Sequence, residues 1–121
     1  MSKAPSDLRI LVVDDDGDLC ADVAAFLTEE GCVVEVAADV AGARARLADR
    51  PPQICLVDIV MPGTSGKVLC REILERHGLP VVMMSSLSDE DTVVALLELG
   101  ADDFLGKPFR MREMLARLRA V

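Results

Sequence analysis

The sequence predicts an α/β domain built on a parallel sheet covered by helices on both faces, a doubly wound arrangement. Three observations carry that reading. Five segments of strand length recur, three of them built on the apolar runs 10–13, 54–57 and 81–84, a segment with helical spacing follows each, and the connecting loops are short. Those three unbroken runs are what strands buried on both faces need. Right-handed crossovers then follow.

Residues 9–13 (RILVV) form the first run, and the carboxylates Asp14, Asp15 and Asp16 come directly after it. Asp16 suits the start of a helix whose apolar face holds Leu19, Val23, Phe26 and Leu27, with Gly31 as its stop. Residues 33–37 read as a second strand. Asp39 caps a helix with Val40, Ala43 and Leu47 inward, and Pro51 and Pro52 end it. The third strand, 53–58, closes abruptly on Asp58, and a turn containing Pro62 and Gly63 follows. Helical spacing over 66–76 runs through Leu69, Ile73 and Leu74, with Gly78 beyond it. A fourth strand, 80–84, leads into Ser85 and Ser86. Ser88 and the acids at 89–91 open the next helix, because anions suit the positive end of the helix dipole. Val94 and Leu97 carry its apolar side, and Gly100 ends it. A fifth strand, 103–106, precedes Lys107 and Pro108, and a last helix at 110–121 turns Met114, Leu115 and Leu118 inward.

The chain has 121 residues, enough for one core, and carries a net charge of −8. That charge opposes binding to a phosphate backbone, and with no Trp or Tyr and three Phe there is little to stack on bases. Direct nucleic-acid binding is therefore not expected. No apolar stretch reaches the roughly 18 residues of a membrane span, and the first residues lack a secretory apolar segment. A cytoplasmic location follows, with no membrane partner. Cys20, Cys32, Cys55 and Cys70 are widely spaced within apolar patterns and read as reduced, buried thiols.

In an open parallel sheet, ligands gather at the carboxyl ends of the strands. Four of the five strands end there in polar residues: Asp14 and Asp15, Asp58, Ser85, and Lys107 just past the fifth. Crowded carboxylates repel unless a cation lies among them, and oxygen-only donors favour Mg²⁺. A carboxylate can act as a nucleophile toward phosphorus. A metal ion, a lysine and a hydroxyl would then hold the charge on the transferring group. Each residue alone has an ordinary role as turn, cap or solvated charge, but the set at successive strand ends points to function. Asp16 keeps its capping role. His77, beside Gly78 at a helix end, is assigned none.

The motifs ILVVDDD, LVDIVMPG, VVMMSS and GADDFLGKPF, in this order, resemble the receiver domain of two-component response regulators, from Arg9 to the end of the chain. The resemblance implies a flavodoxin-like (βα)5 fold of strand order 2-1-3-4-5 and Mg²⁺-dependent phosphotransfer from a histidine kinase to Asp58. It implies that Asp15, Asp58 and the backbone carbonyl of Val60 bind Mg²⁺, or Mn²⁺ in its place, while Asp14 acts largely through water. Lys107 would pair with a phosphoryl oxygen. Ser85, 22 residues before it, would supply the moving hydroxyl, with Ser86 a neighbouring candidate. Phe104 takes the place of the aromatic switch, and the Lys107–Pro108 bond is cis in the family. In the family, residues two past the phosphoacceptor and two past the hydroxyl influence how water reaches the acyl phosphate. Val60 and Leu87 stand there, and neither can hydrogen-bond to water, so slow self-dephosphorylation is expected.

The segment after Gly100 resembles the winged-helix transcription-factor branch, whose fourth helix, fifth strand and fifth helix form a two-fold dimer. Asp103 with Arg117 and Asp102 with Arg119 match its charge pairs, whereas Val93 stands where Glu113 would find a basic partner. The resemblance implies a homodimer on phosphorylation and transcriptional output. Residues 1–8 are expected to be a disordered tail and 9–121 a single receiver domain, with no output domain in this chain. Its end on the last helix favours a piece of a longer regulator over a single-domain regulator acting through protein–protein contact.

Two enzyme-like or binding alternatives fit less well. A haloacid-dehalogenase-type phosphatase needs a second Asp two residues after the first, where Val60 stands. An FMN carrier would place phosphate against Asp14 to Asp16. The complete acid, hydroxyl and lysine set also argues against a degenerate, purely scaffolding receiver. The chain is thus expected to promote its own phosphorylation without being a turnover enzyme.

Overall fold

The computed structural model describes residues 8–61, 65–86 and 90–121. The turn at Pro62 and Gly63, the helix start at Ser88 and the Leu87 position lie outside the described residues. Five parallel strands, β1 (Arg9–Val13), β2 (Val33–Ala37), β3 (Ile54–Asp58), β4 (Val81–Ser85) and β5 (Asp103–Gly106), form one sheet of order β2-β1-β3-β4-β5. The helices are α1 (Gly17–Glu29), α2 (Val40–Asp49), α3 (Gly66–Glu72), α4 (Glu90–Leu99) and α5 (Met111–Ala120).

The period-2 alternation of the strands divides the core into two layers. Leu11, Val13, Cys55, Val57, Val81 and Met83 face α2, α3 and α4, where they meet Val40, Leu47, Leu69, Ile73 and Leu96. Ile10, Val12, Ile54, Leu56, Val82 and Met84 face α1 and α5, meeting Val23, Leu27, Met114, Leu115 and Leu118. β3 and β4, in the middle of the sheet, are buried at every position. The four cysteines are free and buried, as their apolar surroundings predict.

Four details depart from the sequence reading. Leu8, assigned to the tail, packs on the α1 side of the core, and its carbonyl accepts Val33 N–H at 2.9 Å. β3 begins at Ile54 rather than 53, and β4 runs one residue later than predicted, because Pro80 has no N–H for the ladder while Ser85 pairs with Gly106. The expected helix over 66–76 is α-helical only to Glu72, and Ile73–His77 continue it as a π-helical turn that stops at Gly78 (φ 63°). On α4 the inward side chain is Leu96, whereas Val94 and Leu97 are exposed. The Val93–Leu97 run is apolar at every position, so its spacing does not fix which side faces inward.

Candidate functional site

Sheet register brings the site together. Val13 pairs with Val57, so Asp14, the next residue of the chain, comes beside Asp58 at the carboxyl edge. Asp58 pairs with Met84, which places Ser85 one step further along the same edge. Ser85 in turn pairs with Gly106, and its carbonyl accepts Lys107 N–H at 2.8 Å. Lys107 thus emerges toward the carboxylates. Its bond to Pro108 is cis.

Asp14 is buried and held at both oxygens. Oδ1 accepts Asp16 N–H at 3.0 Å, and Oδ2 accepts Lys107 Nζ at 2.7 Å. Lys107 Nζ also lies 3.4 Å from Asp58 Oδ1. Asp15 is exposed at the lip, and one carboxylate oxygen each from Asp14, Asp15 and Asp58 lie within 4.8 Å of one another. Asp16 instead caps α1, accepting Leu19 N–H, as expected.

Burial pushes the Asp58 carboxyl up to about 6; the negative charge of Asp14 adds to this, Lys107 opposes it, and Asp15 contributes a smaller rise. For Lys107, burial favours the neutral amine, but its hydrogen bond to Asp14 and the charges of Asp14 and Asp58 outweigh that and raise its pKa. The lysine ammonium therefore serves as the cation that the buried acids require. Hard oxygen donors at this spacing, two of them buried, suit a small divalent cation such as Mg²⁺. The carboxylates open into a cleft of about 430 Å³ whose rim includes Val60, Met61 and Ser86. Val60 is 59% exposed there.

Ser85 is fully buried at the end of β4, and Ser86, exposed, stands on the cleft rim. Phe104 is half-buried and packs against the α2–α3–α4 side of the core. The remaining predicted positions lie away from the cleft. Within one chain, Arg117 binds Asp103 at 3.0 Å and Glu113 at 3.2 Å. Asp102 accepts Val81 N–H at 2.9 Å, clamping the start of β4. Arg119 lies with Phe26 and Glu30 where α5 meets α1.

Two features of the site were not read from the sequence. Met61 lines the cleft, yet it resembles any apolar residue after a strand. Gly66 begins α3 directly against the Asp58–Ile59 backbone, a proximity that only the loop's path reveals.

Comparison with known proteins agrees with this arrangement. Residues 10–119 match the response regulator receiver domain family. The chain is 36% identical over 114 residues to the regulatory protein VanRB of Enterococcus faecalis, covering 94% of this chain and 52% of VanRB. It is 39% identical over 112 residues to the DNA-binding response regulator MtrA of Mycobacterium tuberculosis, covering 93% of this chain and 49% of MtrA. The chain thus spans about half the length of the curated relatives it matches. Among solved structures, a two-component response regulator from Clostridium difficile superposes with a TM-score of 0.90 at 25% identity, covering 94% of each chain. The BeF3-activated N-terminal receiver domain of Klebsiella pneumoniae RstA superposes with a TM-score of 0.87 at 32% identity, covering 93% of this chain and 96% of that one.

Proposed function

This chain belongs to the response regulator receiver domain family, and we propose that it takes a phosphoryl group onto Asp58. The convergence of Asp14, Asp15 and Asp58 within 4.8 Å, with Lys107 between Asp14 and Asp58, carries the reading. The donor is a phosphohistidine of a histidine kinase. A carboxylate oxygen of Asp58 attacks phosphorus, a P–O bond forms, the P–N bond breaks, and its electron pair leaves on the imidazole nitrogen. The product is a mixed anhydride.

Asp15, Asp58 and the Val60 carbonyl would hold Mg²⁺, or Mn²⁺ in its place, with Asp14 acting largely through water. The ion would supply positive charge for the phosphoryl oxygens. Lys107 leaves Asp14 to pair with a phosphoryl oxygen. Asp58, at a pKa of about 6, is mostly ionised near neutral pH and ready to attack. The Ser85 hydroxyl then shifts toward the phosphoryl group, Phe104 turns further inward, and the α4–β5–α5 face changes shape. Phosphorylation is followed by slow hydrolysis, so the domain is a switch rather than a turnover enzyme.

Its output is homodimerisation and control of transcription, the second supported by relatives named as DNA-binding response regulators. This domain itself makes no nucleic-acid contact, consistent with its net charge of −8. The setting is the cytoplasm, consistent with four free thiols; among the described residues no helix is long and apolar enough to cross a membrane. Incubation with acetyl phosphate, followed by intact mass, tests the reading. One phosphoryl group is expected with Mg²⁺ and none in EDTA; equal uptake in both would overturn it.

A further inference from the structure

An ideal Cβ built on Gly66 would lie 1.9 Å from the Asp58 carbonyl oxygen, 2.9 Å from its carbonyl carbon and 2.9 Å from Ile59 Cα. All three atoms are backbone, so no side chain can rotate aside. Gly66 N–H also donates to the Ile59 carbonyl at 2.8 Å, and Ile59 N–H donates to Met84 O at 3.0 Å. The Asp58–Ile59 segment is therefore gripped from both sides, by β4 and by the first residue of α3. Val60, the next residue, opens onto the cleft.

We propose that Gly66 is a positioning residue for metal loading, fixing the strand-end segment that carries the Asp58 carboxylate and the Val60 carbonyl. The inference rests on the metal-dependent phosphoacceptor reading and adds to it a residue that touches no ligand. Helix propensity alone would favour alanine at this position, so the glycine is explained by the close approach. A methyl group there must move from 1.9 Å to the ordinary contact of 3.4 Å, a displacement of about 1.5 Å shared between α3 and the segment after β3. Misplacing a metal's supporting groups typically lowers affinity about 10–100-fold.

Calorimetric Mg²⁺ titration of wild type, Gly66→Ala and Gly17→Ala tests this without any phosphodonor. Gly17 is a control near the site, since a Cβ there meets nothing within 4 Å. Gly66→Ala is expected to bind Mg²⁺ about tenfold or more weakly, with Gly17→Ala unchanged. A Gly66→Ala protein that loses thermal stability but keeps wild-type Mg²⁺ affinity overturns the inference and leaves the phosphoacceptor reading intact. Wild type that binds no Mg²⁺ overturns both.

Should Gly66→Ala fail to fold, hydrogen exchange on the wild type decides. If closure of Gly66 onto Ile59 favours metal binding, metal must favour that closure by the same factor. Protection of the Gly66 amide is expected to rise about tenfold on Mg²⁺ saturation. Protection unaltered by Mg²⁺ overturns the inference.

Discussion

Lys107 Nζ sits 2.7 Å from Asp14 Oδ2 and 3.4 Å from Asp58 Oδ1, so the lysine is bonded chiefly to Asp14 and only loosely to the proposed phosphoacceptor. Asp14 is the more deeply buried of the two, and its charge needs a partner at all times. To reach a phosphoryl group on Asp58, as proposed, Lys107 would have to give up its bond to Asp14, and a divalent ion held by the acids would supply charge in its place.

Replacing the lysine exposes this demand. Lys107→Met is expected to destabilise the metal-free protein by about 1–3 kcal/mol, since Asp14 and Asp58 then face each other without a cation. Mg²⁺ should raise the variant's stability more than the wild type's, because the ion supplies the missing charge. Urea unfolding in EDTA and in saturating Mg²⁺ measures both effects. A variant as stable as wild type in EDTA would contradict them.

Asp58 makes stability depend on pH. Its folded value of about 6 lies above the ordinary 3.8, so between these values the folded chain binds more protons than the unfolded one. Its contribution is therefore most favourable below 3.8 and is lost as pH rises through about 6. Asp58→Asn carries no charge to bury and is expected to stabilise the metal-free protein by about 1–3 kcal/mol at about pH 7.5, with the gain shrinking toward about pH 4. Urea unfolding across that range checks the direction. A pH-independent difference would remove burial of the carboxylate as its cause.

The central strands and their polar ends were legible because the apolar runs 10–13, 54–57 and 81–84 stop where the buried sheet meets the cleft. Asp14, Asp58 and Lys107 were placed by that logic alone. The π-helical turn at the end of α3 was not, since Leu69, Ile73 and Leu74 satisfy α-helical spacing equally well. Nor could the sequence reveal that Asp102, matched to a charge partner across a dimer, is bonded to the Val81 amide. Which acid takes the lysine depends on the difference between 2.7 and 3.4 Å. No residue pattern encodes it.

On the proposed chemistry, Val60 is expected to influence the persistence of the signal. Its exposed aliphatic side chain borders the cleft and offers an incoming water no hydrogen bond. Phosphorylated wild type is expected to decay slowly, and Val60→Gln to shorten the lifetime by roughly tenfold, modest beside what a positioned acid or base contributes. Loss of phosphoryl group followed by intact mass measures it. A lifetime of seconds, unchanged in the variant, would contradict the assignment.

Arg117 bears on the proposed dimer. It already pairs with Asp103 and Glu113 within its own chain, so any bond across an interface replaces one made internally. Exposed pairs are each worth about 0–1 kcal/mol, and the exchange adds less. Self-association of the beryllofluoride-activated protein is therefore expected to change less than about fivefold between low and high salt. Analytical ultracentrifugation reads this directly, and a dimer abolished by high salt would show that the charge pairs govern assembly.

The most direct measurement compares wild type with Asp58→Asn after incubation with acetyl phosphate and Mg²⁺, by intact mass and then peptide mapping. One phosphoryl group is expected on wild type, carried by the peptide containing Asp58, and none on the variant. Equal phosphorylation of the two proteins, or a phosphoryl group mapped to another residue, would contradict it.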